Sequence, residues 1–124
     1  MMKILIADNE KNFVLLLKKN LAQKGYAVDV AYDGKEALGL MLSKSYDLVF
    51  LDFNMPQLTG LELAKYIKEK EIRSKVVIIT GYADMSELLA RAVGADEYMT
   101  KPISVEDVKE VIDKYDPQKK AEKK

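Results

Sequence analysis

The sequence predicts an α/β fold, a doubly wound five-stranded parallel sheet with helices on both faces. Two observations predict it. Short apolar runs, typical of strands that are buried on both faces, alternate with segments whose apolar residues recur at helical spacing. The alternation repeats five times with short loops, and right-handed crossovers then place helices on both faces of a parallel sheet. The pattern alone leaves the order of the strands open.

The strands are predicted from apolar and β-branched runs that stop at polar or turn residues. Asp8-Asn9-Glu10 follows the first run, and Asp52 closes the third, Leu48-Val49-Phe50-Leu51. The five predicted strands are Lys3–Ala7, Ala27–Tyr32, Asp47–Leu51, Val76–Ile79 and Glu97–Thr100.

The helices are predicted from apolar residues three and four apart, with glycine or turn residues at their ends. The last helix begins at Ser104, which is expected to cap it together with Asp107. In the first helix the residues expected to pack are Phe13, Leu16, Leu17 and Leu21. In the second helix, Lys35–Lys44, they are Ala37, Leu38, Met41 and Leu42. The third helix is predicted as Leu58–Lys70, and the fourth contains Met85, Leu88, Leu89 and Ala92.

Length and composition restrict the possible functions. The 124 residues suit one domain, expected to be residues 1–115, followed by a polar tail, residues 116–124, whose part after Pro117 is too polar to pack. Twenty basic and twenty acidic residues balance, and no apolar run is long enough for a bilayer, so we expect no nucleic-acid partner and no membrane. Cysteine is absent, which fits the cytoplasm. Histidine is absent as well, so any histidine chemistry is expected to come from a partner.

The ends of the strands indicate a chemical site. Because parallel strands end at the same edge of a sheet, we expect Asp8, Asp52, Thr80 and Lys101 to lie in one neighbourhood. Carboxylate and carbonyl oxygens are the ligands that Mg²⁺ prefers. Asp52 is therefore expected to bind the metal and to attack phosphorus, while Lys101 and Thr80 offset the charge of the transferred group.

Four motifs make the chain resemble a receiver domain of the response regulators of two-component signalling. The resemblance covers residue 3 to about residue 115. The motifs are Ile-Leu-Ile-Ala-Asp-Asn-Glu at the first strand, Leu-Asp-Phe-Asn-Met-Pro-Gln-Leu-Thr-Gly at the third, Ile-Ile-Thr-Gly-Tyr at the fourth and Gly-Ala-Asp-Glu-Tyr-Met-Thr-Lys-Pro at the fifth.

The resemblance implies a flavodoxin-like fold with strand order 2-1-3-4-5 and a cis Lys101-Pro102 bond. It implies that Asp52 accepts a phosphoryl group from a histidine kinase or a histidine phosphotransfer protein. It also implies that a stand-alone receiver of this kind signals by binding a downstream protein and is not an enzyme beyond its own phosphotransfer and dephosphorylation. The residue roles implied are metal binding by Asp8 and by the backbone carbonyl of Asn54, phosphoryl sensing by Thr80 and Lys101, and an aromatic switch at Tyr98.

One residue departs from the family pattern. The second acid after the first strand, which is generally a direct metal ligand, is the amide Asn9 here. The loss of one negative charge is expected to weaken Mg²⁺ binding, and Glu10 either compensates or does not. An alternative function is therefore a pseudo-receiver, a binding module with a weakened metal site.

Each of these residues also has a purely structural interpretation. An Asp after a strand is usually a turn former, and Thr80 and Lys101 each suit structural roles taken singly, but the combination favours the site. Tyr98 is equally compatible with covering the core. A phosphatase with an aspartyl-phosphate intermediate is disfavoured, because Asn54 offers no carboxylate for acid/base catalysis.

Overall fold

The fold is a five-stranded parallel sheet in the order β2-β1-β3-β4-β5, which confirms the predicted class and strand order. The structure, a computed structural model, describes residues 2–55, 57–81, 88 and 90–122. The strands are β1 (Lys3–Ala7), β2 (Ala27–Ala31), β3 (Leu48–Asp52), β4 (Lys75–Thr80) and β5 (Glu97–Thr100).

Helices connect the strands and extend beyond the last one. They are α1 (Lys11–Gln23), α2 (Gly34–Ser43), α3 (Gly60–Glu69), α4 (Val105–Tyr115) and α5 (Pro117–Glu122). Between β4 and β5, residues 88 and 90–92 are helical, as expected for the predicted fourth helix, whose residues Met85 and Leu89 lie outside the described part of the chain. Within that part, no helix combines the length and the apolar character that crossing a bilayer requires.

Each face of the sheet has its own apolar core, because successive side chains of a strand point to opposite faces. Val49 and Leu51 of β3 pack with α2 and α3, whereas Leu48 and Phe50 pack with α1 and α4. All five residues of β3 are buried. A strand buried on both faces has no polar alternation, which explains why it is a continuous apolar run in the sequence.

Two helices that start near the carboxyl edge of the sheet have complete capping boxes. In α4 the Ser104 side chain accepts a hydrogen bond from the Asp107 N–H, and the Asp107 side chain accepts one from the Ser104 N–H, as predicted. Thr59 and Glu62 form the same pair in α3. Because Thr59 is the cap, α3 begins at Gly60 and not at Leu58 as predicted.

The predicted packed faces of two helices are wrong in part. In α1 the buried residues are Val14, Leu17 and Leu21, and Leu16 is 49% exposed; in α2 Leu42 is 66% exposed. Each exposed leucine is next in sequence to a buried residue, about 100° around the helix axis, so only one of the two can face the sheet. In both helices apolar residues lie on either side of the buried ones, so the sequence did not show which of them face the sheet.

The chain after Tyr115, which the sequence predicts as a polar tail, begins with a buried residue and a short helix. Asp116 is buried, and its Oδ2 accepts a hydrogen bond of 2.7 Å from the Tyr26 hydroxyl at the start of β2. Its Oδ1 accepts one of 3.0 Å from the Gln118 N–H in the first turn of α5. A capping aspartate followed by proline is a standard start for a helix, and α5 follows it directly.

Two glycines of α2 provide a matched stability test. A Cβ on Gly34 would lie 2.0 Å from the Leu58 carbonyl oxygen, whereas a Cβ on Gly39 would meet nothing within 4 Å. We expect Gly34→Ala to lower the free energy of unfolding by about 1–3 kcal/mol, since the backbone near Leu58 must move. Gly39→Ala is expected to raise it by about 0.5–1 kcal/mol through backbone entropy. Urea denaturation of both variants measures this, and equal effects would contradict the close packing of Gly34.

Candidate functional site

The sheet register brings the predicted residues to one edge. Asp52 is the last residue of β3 and pairs with Ile79, while Thr80 ends β4 and pairs with Thr100. The Lys101 N–H donates a hydrogen bond of 2.7 Å to the Thr80 carbonyl oxygen, and the Lys101-Pro102 bond is cis, as the resemblance implied. Asp8 directly follows β1, the neighbour of β3.

The side chain of Lys101 contacts three carboxylates. Its Nζ lies 3.3 Å from Asp52 Oδ2 and 3.4 Å from Asp8 Oδ2, and both of these carboxylates are buried. The third contact is Glu10 Oε1 at 3.0 Å, on an exposed side chain. One ammonium therefore neutralises part of a concentrated negative charge at the end of the sheet.

The Asp52 carboxylate is almost fully covered. Only 3% of its side chain is exposed, although it lies at the carboxyl edge of the sheet, where open α/β sheets bind ligands. Its Oδ1 accepts a hydrogen bond of 3.3 Å from the Asn54 N–H, and Lys101 is bound to its other oxygen. The sequence predicts that Asp52 lies at the carboxyl edge of the sheet. It does not show the burial of the carboxylate, which depends on side chains from other segments.

Burial and charge shift the acid–base properties of this pair. Burial and the negative charge of Asp8 raise the pKa of Asp52 from 3.8 to about 6, against the opposing effect of Lys101. Burial by itself lowers the pKa of Lys101, but the Glu10 hydrogen bond and the charges of Asp52 and Asp8 outweigh it, so that the pKa of Lys101 is raised. Near neutral pH the site therefore holds an ionised Asp52 carboxylate of raised basicity beside the positive charge of Lys101.

The donor atoms at this edge fit a divalent cation. Asp8 Oδ2 is buried and accepts no hydrogen bond from any described residue, and Lys101 Nζ at 3.4 Å is its ion-pair partner. Carboxylate oxygens of this kind suit Mg²⁺. Among the described residues, no group of three or more histidine, cysteine, aspartate or glutamate side chains is arranged to hold a metal ion.

The other predicted residues occupy different positions around the site. Asn9 and Asn54 are exposed at the carboxyl edge, one after Asp8 and one two residues beyond Asp52. Thr80 is fully buried at the end of β4. Tyr98 lies on β5 opposite Ile78, half-buried against the core on the α2 and α3 side of the sheet.

Two residues of the site were not assigned a role from the sequence. Glu10 belongs to the acidic triplet after β1, and its reach to Lys101 depends on how α1 begins. A Cβ on Gly60 would lie 2.5 Å from the Asp52 carbonyl oxygen, so a glycine lets the start of α3 pack directly on the end of β3. The signal for this packing in the sequence was a glycine eight residues after Asp52.

Comparison with known proteins decides the family. The profile of the response regulator receiver domain matches residues 4–113. The chain belongs to this family. Receiver domains act in two-component signalling, and the sequence resemblance is thereby confirmed.

Individual relatives give the extent of the similarity. The response regulator ArlR of Staphylococcus saprophyticus is 37% identical over 109 residues, covering 87% of this chain and 49% of ArlR. The alkaline phosphatase synthesis transcriptional regulatory protein PhoP of Bacillus subtilis is 37% identical over 107 residues, covering 86% of this chain and 45% of PhoP. The chain thus spans about half the length of these curated relatives.

A solved structure resembles the whole fold. The response regulator TrrA of Thermotoga maritima, solved in complex with Mg²⁺ and BeF, is 40% identical with a TM-score of 0.80. The similarity covers 93% of this chain and 99% of TrrA. This receiver domain is therefore similar in length to that relative.

The raised pKa of Asp52 generates a stability prediction for the protein in a chelating, metal-free buffer. We expect Asp52→Asn to raise the free energy of unfolding at pH 7.5 by about 1–3 kcal/mol, because it removes a buried charge that Asp8 repels. The raised pKa means that the folded wild type binds more protons than the unfolded chain between about 6 and 3.8. Wild-type stability from this group therefore rises as the pH falls through that window, and the advantage of the variant disappears.

Urea denaturation at pH 7.5 and pH 4 measures this difference. Asp113→Asn, which removes the same charge from the surface of α4, is the control and is expected to stay within about 0.5 kcal/mol of wild type. A loss of stability in Asp52→Asn at pH 7.5, or a gain that persists at pH 4, would contradict the electrostatic description.

Proposed function

We propose that this receiver accepts a phosphoryl group on Asp52 from the phosphohistidine of a histidine kinase or a histidine phosphotransfer protein. The observation that supports it is the Lys101 ammonium, 3.3 Å from a buried Asp52 carboxylate of raised basicity. The 124 residues contain no histidine, so the donor's histidine lies outside this chain. In this proposal Asp52, Thr80 and Lys101 act on the phosphoryl group.

The transfer step follows from the positions of these groups. An Asp52 carboxylate oxygen forms a bond to phosphorus, the P–N bond to the donor imidazole breaks, and the imidazole leaves with the electron pair of that bond. Lys101 and the Thr80 hydroxyl, at the ends of β5 and β4, offset the charge on the phosphoryl oxygens. Hydrolysis of the acyl phosphate by water returns the carboxylate, which makes the domain its own phosphatase and not an enzyme for other substrates.

Mg²⁺ is the cofactor that the donor set fits. The residues that would hold it are Asp8, Asp52, the backbone carbonyl of Asn54 and, through its amide oxygen, Asn9. When bound, Mg²⁺ neutralises charge on the phosphoryl group during transfer. The Lys101 ammonium contacts both buried carboxylates, and it would share them with the metal ion.

Access to Asp52 requires the Lys101 side chain to change position. Its ammonium is bound by three carboxylates, yet the side chain is 23% exposed and four flexible methylene groups connect the ammonium to the backbone. An incoming phosphoryl group offers the ammonium new oxygen partners near the same place. We propose that Lys101 exchanges its contact with Asp52 for one with the phosphoryl group, which exposes the nucleophile as the charge arrives.

The output is proposed to be a change of protein binding. In the phosphorylated state Thr80 moves toward the phosphoryl group, and Tyr98 turns inward into the space that it leaves. We propose residues 1–115 as the receiver domain, residues 116–124 as a polar C-terminal extension, and the cytoplasm as its location. PhoP is by name a transcriptional regulator, so the expected absence of a nucleic-acid partner stays a prediction; a downstream protein is the proposed partner.

Small phosphodonors test the acceptor directly. Incubation with Mg²⁺ and either an acyl phosphate or phosphoramidate, whose P–N bond imitates phosphohistidine, is expected to add one phosphoryl group at residue 52. Intact-mass measurement and peptide mapping detect it, and hydroxylamine removes it because it is an acyl phosphate. Asp52→Asn is expected to stay unmodified and Asp113→Asn to react as the wild type does. The absence of modification with both donors would favour the alternative, a pseudo-receiver that binds partners without phosphorylation.

The alternative of a pseudo-receiver rests on Asn9, and the effect of Asn9 on the metal site can be measured. We expect Asn9→Asp to tighten Mg²⁺ binding by about five- to tenfold, since a negative charge is added beside Asp8 at the exposed edge. Titration calorimetry with Mg²⁺ measures the affinity without any phosphodonor. Asn20→Asp, the same change farther along α1, is the control and should leave the affinity unchanged. Equal affinity of wild type and Asn9→Asp would show that Asn9 takes no part in the metal site.

A further inference from the structure

A cavity of about 790 Å³ lies at the edge of the sheet opposite Asp52. Its lining includes Tyr26, which precedes β2, Lys75, which starts β4, and the junction between α4 and α5. Asp47, which also lines it, is five residues before Asp52, a distance of about 16 Å along a strand. The volume falls within the roughly 300–1,000 Å³ of small-molecule sites, and the cavity shares no residue with the site around Asp52.

The lining carries more positive than negative side chains, although the whole chain has no net charge. The cations are Lys24, Arg73, Lys75 and Lys119, and the acids are Asp47 and Asp116. The side chains of Lys24 and Arg73 form no ion pair with any described residue, and Lys75 has a loose one of 3.8 Å with Asp96. Cationic side chains from the ends of α1 and β4 and from α5 therefore surround one cavity.

The two acids are already engaged by groups of the protein. Asp116 is buried and accepts hydrogen bonds from the Tyr26 hydroxyl and from the Gln118 N–H. Asp47 Oδ2 accepts one of 2.8 Å from the Lys3 N–H. These hydrogen bonds hold the two carboxylates in place, whereas the side chains of Lys24 and Arg73 form no ion pair with any described residue. Because four cations and two acids line the cavity, an anion in it gains more attraction than repulsion.

Two half-buried tyrosines add a second feature to the lining. The Tyr26 hydroxyl is 2.7 Å from Asp116 Oδ2, and the Tyr115 hydroxyl is 2.9 Å from Glu97 Oε2. Both rings are therefore held in position by their hydroxyl groups. Fixed aromatic rings beside cationic side chains suit a ligand that combines a planar ring with an anionic group.

We propose that this cavity binds a nucleoside monophosphate or a similar phosphorylated ligand with a planar ring. Lys24 and Arg73 bind the phosphate, and the ring of the ligand packs against Tyr26 or Tyr115. Through Tyr115 and Gln118 the ligand contacts the end of α4 and the start of α5. This site is independent of phosphorylation at Asp52, and the proposal stands or falls separately from the proposed function.

Adenosine monophosphate is the probe, added to the full chain while amide chemical shifts are followed by NMR. The expected shift changes lie at Gly25, Tyr26, Lys75 and Gln118. We expect adenosine and inorganic phosphate, tested separately, each to bind at least about tenfold more weakly, because each lacks one of the two recognised features. Raising the ionic strength should weaken binding, since phosphate recognition is electrostatic.

Matched charge variants complete the test. Lys24→Ala with Arg73→Ala is expected to weaken binding at least about tenfold, the scale of one lost charge-assisted contact. Lys35→Ala with Lys65→Ala removes the same charge from exposed positions outside the cavity and should change the affinity less than about twofold. Shifts confined to the edge around Asp52, equal binding of inorganic phosphate and adenosine monophosphate, or equal effects of the two double variants would overturn the proposal.

Discussion

The ion pairs of the Lys101 ammonium with three carboxylates are the interaction on which the site depends. Asp8 and Asp52 are buried at the ends of neighbouring strands, where the charge of Asp8 raises the cost of ionising Asp52. The Lys101 N–H is bonded to the Thr80 carbonyl, so the backbone that carries the ammonium is attached to the same sheet edge. Glu10 binds the ammonium from the solvent side. Without this cation, two buried negative charges would face each other with little compensation.

The same contacts explain why the phosphoacceptor proposed here is covered in the structure. The Asp52 side chain is only 3% exposed and its Oδ2 is ion-paired with Lys101, so the proposed transfer requires the carboxylate to become more accessible and Lys101 to give up part of this contact. The long, partly exposed lysine side chain allows such an exchange, whereas the backbone beneath is held by the sheet and by the close packing of Gly60 on Asp52. The site thus combines a carboxylate held by the sheet with a counter-charge on a long side chain, which suits the reversible modification proposed for Asp52.

The sequence predicted most of the fold for reasons that are local. The continuous apolar run of β3 indicated burial on both faces, and Ser104 with Asp107 indicated the start of α4, because both signals depend only on neighbouring residues. The faces of α1 and α2 were less well predicted. Leu16 and Leu42 are exposed beside buried neighbours, since the rotation of a helix against the sheet is decided by packing that involves distant segments. The burial of Asp116 by Tyr26 joins residues 90 positions apart and has no local signal.

The sequence by itself determined the α/β class and, through four motifs, the receiver family with its candidate residues at the ends of the strands. Those features follow from short-range periodicity and from motif spacing. Only the tertiary structure decided that Lys101 bridges Asp8, Glu10 and Asp52, and that Asp52 is covered. The physical reason is that distances between side chains of different loops, and the desolvation that changes the pKa of a carboxylate, arise only when the segments pack together.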